Sequence, residues 1–304
     1  MPALGTHYLF AKDVISDSKL NFKLYPRLAY IGAQGPDVLF YLGPANDNFG
    51  SKLHKRAPVS DFNNLLDYAK KQKSPIRDQL FSYLFGAMLH YLLDQVFHPF
   101  VHYRSGFKVG DDPYNYNNDH FKYEAILDYE FLLNHNTNAR KEKVFKSLKS
   151  KKKNVRNVSS MFGQVFDELN VSSFYKAWKN MLTVQTILYD RFGWKRGFLR
   201  VAGLTNNQIF GLIIPTRKTK MDQLDFMNQQ KKEWKNPSSL VVYNDDATEL
   251  FAKAIKKSQM VINIINDAYE NKNVITQLKQ LCDNKNYNGI DENTSLSAFN
   301  SIFK

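Results

Sequence analysis

The segment HYLLDQVFHPFVH sets His90, Asp94, His98 and His102 at successive intervals of four residues. A helix turns by about 100° per residue, so each step drifts by about 40° and His90, Asp94 and His98 project from one face. Leu84, Phe85, Met88, Leu92, Leu93 and Phe97 occupy the other faces, and such a helix is expected to be buried all round. Ionisable groups on a buried stripe are costly to desolvate unless they pair or bind a cation. Downstream, DHFKYEAILDYEF places His120 and Glu124 one turn apart, with Asp128 a further turn on. A histidine and a carboxylate at i and i+4 can chelate one metal ion. Upstream stand His7, Asp37 in GAQGPDVLFY and His54 in GSKLHKR, the last two on stretches expected to be irregular backbone. Singly, each signal is weak: a lone His7 or His54 is more often an ordinary hydrogen-bonded side chain, and a His/Glu pair ordinary helix decoration. Conjunction gives them weight. Five histidines and three carboxylates are enough for a site of two or three metals, all through nitrogen and oxygen. That donor set suits Zn²⁺ and equally admits Mn²⁺ or Fe²⁺. His135, in LLNHN, shows no partner in the sequence.

The elements that must hold these side chains read as helices. Apolar residues recur three and four apart: Tyr8, Leu9, Val14, Ile15; Phe62, Leu65, Leu66, Ala69; Trp178, Met181, Leu182, Ile187, Leu188; and Leu250, Phe251, Ala254, Val261, Ile262, Ile265. Gln208 to Pro215 and Leu240 to Tyr243 are the strand-like pieces, both short. Turn signals fall between the helical windows, at Gly35-Pro36, Gly43-Pro44, Gly110 to Pro113 and Asn236-Pro237. Pro99 lacks an amide donor and crowds the carbonyl of Gln95, so the helix is expected to end or kink near His98, which sets His102 apart. The fold class is all-α with long functional loops. One domain is expected, with a metal-binding core at about 1–135 and supporting helices at about 157–304.

Composition narrows the chemistry. The chain has 304 residues, 42 Lys and Arg against 29 Asp and Glu, a formal charge of +13 and one cysteine, Cys282. A lone cysteine excludes an intramolecular disulfide framework and thiolate zinc fingers. Arg140 to Arg156 carries +8 of that charge, a candidate contact for an anionic surface and also an ordinary solvated helix end. The stretch Leu80 to Phe97 is interrupted by Ser82, His90, Asp94 and Gln95, whereas a membrane span needs about twenty apolar residues. The start, MPALGTHYLFAKDV, lacks a basic region followed by an apolar run, so no secretory signal is read and a cytoplasmic location is expected.

The order His7, Asp37, His54, His90-x₃-Asp94, His98, His120-x₃-Glu124 resembles the zinc-dependent phospholipase C and single-strand-nuclease superfamily, all-α enzymes that hydrolyse phosphodiesters at a trinuclear zinc cluster. THYLF, GxQGPD and HxxxDxxxHP are most similar to its signal-less bacterial branch, and the motifs cover roughly Met1 to Asp128. The DFMNQQKKEWKNP segment around Trp234 resembles that branch too, without an assignable ligand. The resemblance implies that Asp37, His54, His90 and Asp94 hold one zinc and that His98, His120 and Glu124 hold a second. His7 and a bridging Asp94 would belong to a third. Secreted members complete the third site with an N-terminal tryptophan, which this chain lacks; Pro2 is the substitute to consider. The interval between Asp94 and His98 is shorter than in those members, which keeps His102 as a rival to His98.

Bound zinc would lower the pKa of its water to about 7 and neutralise charge on the phosphoryl oxygens. Asp37 is the candidate to orient or deprotonate the attacking water. A phospholipid head group is the favoured substrate, with Val38 to Leu42 and Phe97 to Tyr103 as candidate apolar rims. A nuclease would instead use Tyr114, Tyr116 and the basic segment, and a small phosphodiester is a third substrate class. A non-catalytic helical protein with a structural metal site is the alternative from a different class.

Overall fold

The computed structural model describes residues 4–43, 48–108, 112, 114, 116–135, 144–204, 210, 212–213, 224–291 and 294–303. Pro2, Pro44, Gly110, Asp111, Pro113 and residues 140–143 lie outside them, as does most of the run 208–215. Within that run Phe210 and Leu212 are helical, where a strand was expected.

The fold is all-α. Its axis is α5 (Ile76–Ser105), buried along nearly its whole length as its all-round apolar sequence requires. Against it pack α1 (Leu4–Asp17), α2 (Pro26–Gly32), a 3₁₀ helix (Gly35–Leu42), α4 (Val59–Lys70) and α6 (Tyr116–Asn134). The short α3 (Phe49–His54) leans on the 3₁₀ helix. The crossing of α2 and α5 is close enough to demand glycine on both sides. A Cβ on Gly32 would lie 2.0 Å from the carbonyl oxygen of Tyr83, and one on Gly86 would lie 1.9 Å from that of Ala29.

After α7 (Val144–Ser147) come α8 (Lys152–Val165) and α9 (Ser173–Leu188), which cover α5 and the 3₁₀ helix, then α10 (Trp194–Val201). A two-stranded antiparallel ribbon, β1 (Trp234–Lys235) and β2 (Val242–Tyr243), sets Trp234 opposite Tyr243. Then follow α11 (Ala247–Tyr269) and α12 (Ile275–Cys282). The predicted apolar faces of α4 and α11 are buried throughout. Helix α11 starts on a capping box, in which Glu249 N–H donates to Asp246 Oδ1 and Asp246 N–H to Glu249 Oε2. Among the described residues no helix is long and apolar enough to cross a membrane.

Pro99 does not end α5, one of the two outcomes expected of it. The helix continues six residues beyond it, to Ser105: Pro99 removes one internal hydrogen bond, and the last turn is held by other parts of the chain. The C-terminal segment receives the helix end: Asn300 N–H donates to Tyr103 O and Ile302 N–H to Arg104 O, both at 2.8 Å. Arg104 reaches Tyr123 Oη, Asn228 Oδ1 and the Asp225 carbonyl, which gives the DFMNQ segment a structural role.

Candidate metal centre

Four elements besides α5 deliver side chains to one buried region. Helix α1 carries His7, the 3₁₀ helix Asp37, α3 His54, and α6 His120 and Glu124. The stretches expected to be irregular are therefore regular. Asn48 caps α3 through Gly50 N–H at 2.8 Å, and Pro36 at the first turn of the 3₁₀ helix fixes its entry. Gly35 sits at φ +51° where a Cβ would come 2.0 Å from the His90 ring, so only glycine lets Asp37 approach that histidine.

The predicted residues converge. Asp94 Oδ2 lies 3.0 Å from His90 Nε2, and its Oδ1 lies 3.1 Å from His7 Nε2 and 3.8 Å from His98 Nε2. Glu124 Oε1 lies 3.1 Å from His120 Nε2 and 3.4 Å from His98 Nε2. Asp37 Oδ1 lies 3.0 Å from His54 Nε2. Three sets of possible ligand atoms result among the described residues: His7, His90 and Asp94; Asp37, His54 and His90; and His98, His120 and Glu124. His90 belongs to two of them. His102 stands outside all three, with its Nε2 3.3 Å from Asn288 Oδ1 and its ring beside His120. Burial, then the neighbouring His120 and His98, push its pKa well below the ordinary histidine value.

Hydrogen bonds to the far ring nitrogens decide what the near ones can do. His90 Nδ1 meets Ala33 O at 3.1 Å, His54 Nδ1 meets Gly50 O at 2.7 Å and His98 Nδ1 meets Tyr287 O at 2.6 Å. A carbonyl only accepts, so each Nδ1 carries a proton, and each ring turns its Nε2 toward a carboxylate. Nε2 of His90 and of His54 are buried and make no hydrogen bond, although a carboxylate oxygen stands 3.0 Å from each. Lone pair facing lone pair is repulsive until a cation or a proton sits between them, and main-chain carbonyls behind imidazoles are the usual outer shell of a metal site. The donor set therefore fits a nitrogen- and oxygen-liganded ion such as Zn²⁺.

Electrostatics agree. Burial alone would raise Asp94 and Glu124, yet the surrounding histidines hold both well below the usual carboxylate range. Burial also opposes charge on His98, but Asp94 and Glu124 outweigh it and lift that ring to about 9. Two carboxylates held ionised among imidazoles are anionic ligands ready for a cation. Cys282 is buried in α12, its thiol pushed up to about 12 by burial, and takes no part.

Three contributions escape the sequence reading. Asp128 accepts from Gly5 N–H, Thr6 N–H and Thr6 Oγ1 at 2.7 to 2.8 Å, which pins the first turn of α1 and hence His7. Burial pushes its pKa up to about 7 against the pull of those hydrogen bonds. Its i+4 spacing from Glu124 was visible, but its partner lies more than 120 residues away. Tyr287 offers its carbonyl to His98 and sets its ring 5.0 Å from that of His54. His135 does have a partner: its Nε2 meets Asp13 Oδ2 at 2.9 Å, away from the centre. Tyr116, a candidate stacking platform, is buried with its hydroxyl on Asp112 Oδ2 at 2.6 Å. Of the two candidate apolar rims, Val38, Leu39, Phe97, Phe100 and Val101 are buried, which leaves Phe40, Tyr41, Leu42 and Tyr103 half-buried.

An all-α protein with clustered buried histidines and carboxylates defines the class of helical metalloproteins. Comparison with known families matches residues 6–176 to the zinc dependent phospholipase C model, more than half of the chain, and the chain belongs to that family. Comparison with curated proteins and with solved structures gives no significant match. Membership and the three candidate ligand sets together support a zinc-dependent phosphoesterase.

Proposed function

We propose that this chain hydrolyses a phosphodiester at a centre of two or three zinc ions held by His7, Asp37, His54, His90, Asp94, His98, His120 and Glu124. The observation that carries the reading is the set of Nε2 atoms turned on carboxylates, with the Nδ1 of His54, His90 and His98 each committed to a main-chain carbonyl. Asp37, His54, His90 and Asp94 would hold one ion, and His98, His120 and Glu124 a second. Asp94 would bridge to a third shared with His7. Zinc in these positions supplies water of lowered pKa and positive charge opposite the phosphoryl oxygens. Asp37 is the most exposed of the three carboxylates, and we assign it to orient the attacking water or take its proton. We treat the chain as one domain, because residues from Leu4 to Tyr287 share one apolar cluster.

A phospholipid head group is the substrate class we favour. The Phe40 ring lies 5.2 Å from that of His54, and Tyr41 and Leu42 beside it are half-exposed, so an apolar rim borders the centre. Burial of Tyr116 removes one of the two rings a single strand would stack on. The test is a panel of phosphatidylcholine, sphingomyelin, single-stranded DNA and a small chromogenic diester on one zinc-loaded sample. Turnover of a phospholipid above the DNA is expected, and DNA as the better substrate would overturn the assignment.

A further inference from the structure

Helix α10 turns its apolar side chains to solvent and an arginine to the interior. Trp194, Phe198 and Val201 are 78%, 71% and 91% exposed, and their i, i+4, i+7 spacing aligns them on one stripe. Arg196, on the opposite side, is buried. Its guanidinium lies 4.2 Å from the centre of the Phe210 ring and donates to the carbonyls of Phe210 and Ile213. The cation fastens the helix, and that anchorage holds the apolar stripe outward. Ile187, at the end of α9, is 62% exposed, and Phe192, five residues on, is 57% exposed. Single exposed apolar residues are ordinary, whereas a contiguous ridge of aromatic and aliphatic side chains marks an interaction surface.

Charge selects the partner. Arg191, Lys195 and Arg200 flank the ridge and are exposed. Asp190, the one acidic residue between Ile187 and Leu204, is buried and receives Arg196 N–H at 3.0 Å. Ile187 also borders an open groove lined by Lys149, Lys152 and Lys179, where the basic segment meets α9. A second copy of the chain would bring like charge against like. A helix with Trp and Phe on one side and Arg and Lys around it is the kind that lies in the boundary of an anionic bilayer.

We propose that α10 docks the protein on an anionic phospholipid surface, with Trp194, Phe198 and Val201 entering the head-group boundary and the flanking cations meeting lipid phosphates. The ridge starts two residues after Gln185, whose amide meets Tyr41 Oη at 3.0 Å on the 3₁₀ helix that carries Asp37. Docking therefore deepens the phospholipid reading of that site, and rests on it only for the identity of the substrate.

The test uses the full chain stripped of metal, so that no lipid is consumed, sedimented with vesicles of phosphatidylserine and phosphatidylcholine or of phosphatidylcholine alone. Trp178 and Trp234 are 5% and 3% exposed, which leaves Trp194 as the fluorophore that responds. The mixed vesicles should retain the protein and shift its emission to the blue. W194S/F198S should partition about tenfold less or worse, with its thermal melt and its zinc-loaded turnover of a soluble chromogenic diester unchanged. Arg191→Gln with Arg200→Gln should flatten the salt dependence of binding. The docking fails if the wild type ignores both vesicles, or if W194S/F198S binds as well as wild type. It also fails if the ridge mediates self-association or single-strand binding while vesicles are ignored. Vesicle binding without diester turnover would keep the docking and defeat the enzyme, so the two outcomes are separable.

Discussion

His54, His90 and His98 each donate an Nδ1 proton to a main-chain carbonyl, and that arrangement decides which ring nitrogen faces the carboxylates. The side chains were legible in the sequence because a four-residue repeat on an apolar helix fixes both their types and their shared face. The carbonyls of Ala33, Gly50 and Tyr287 were not, since every residue has a carbonyl and only tertiary packing selects three of them. Two predictions belong at this scale. Asp94 sits between His7, His90 and His98, so Asp94→Asn should lower the number of zinc ions bound per chain and cut diester turnover by about a hundredfold. Elemental analysis and kinetics would check it, and full turnover would remove Asp94 from the centre. His98, lifted to about 9 without metal, is protonated at neutral pH, and a zinc ion at its Nε2 must displace that proton. Zinc affinity at its position should therefore fall as pH drops below about 9, by about tenfold per unit for one displaced proton. Calorimetric titrations across that range would show it, and an affinity independent of pH would contradict it.

At the scale of elements, α5 was legible as a buried helix but not in its length. Pro99 looked like a stop or a kink because the cost of a proline is local, whereas the bonds that hold the last turn of α5 come from the C-terminal segment, about 200 residues on. His54 was placed on a loop because six residues offer too little periodicity to reveal α3, although Asn48 two residues before Gly50 is a capping residue. Helix α1 illustrates the same limit. Its first turn is tied by Asp128 on α6. Asp128→Asn keeps the volume but sets an NH₂ donor against donors, which should cost about 1–3 kcal/mol. The expected readout is a lower Tm with loss of zinc from the His7 set and retention in the set of His98, His120 and Glu124. An unchanged Tm would show that α1 is held by its apolar face alone.

For the whole molecule, the net charge of +13 pointed to an anionic partner without saying where. The proposed ligands are imidazoles and carboxylates, so a positive field at the centre would come chiefly from ions bound there. Among the described residues, Lys149, Lys152 and Lys179 line a groove beside α9, and Arg191, Lys195 and Arg200 flank the exposed apolar ridge of α10, away from the proposed centre. Ile187 belongs to the apolar spacing that marked α9 as a helix, and its exposure was not legible there, because periodicity reports a face, not whether that face finds a neighbour. In the proposed function, zinc in the His7 to Glu124 centre makes this chain a phosphodiesterase. The most direct test is to strip the protein with chelator and titrate zinc back while following hydrolysis of a soluble chromogenic phosphodiester. Activity should be absent without metal, rise with added zinc and saturate at two or three equivalents per chain; no hydrolysis at any zinc loading would contradict the account.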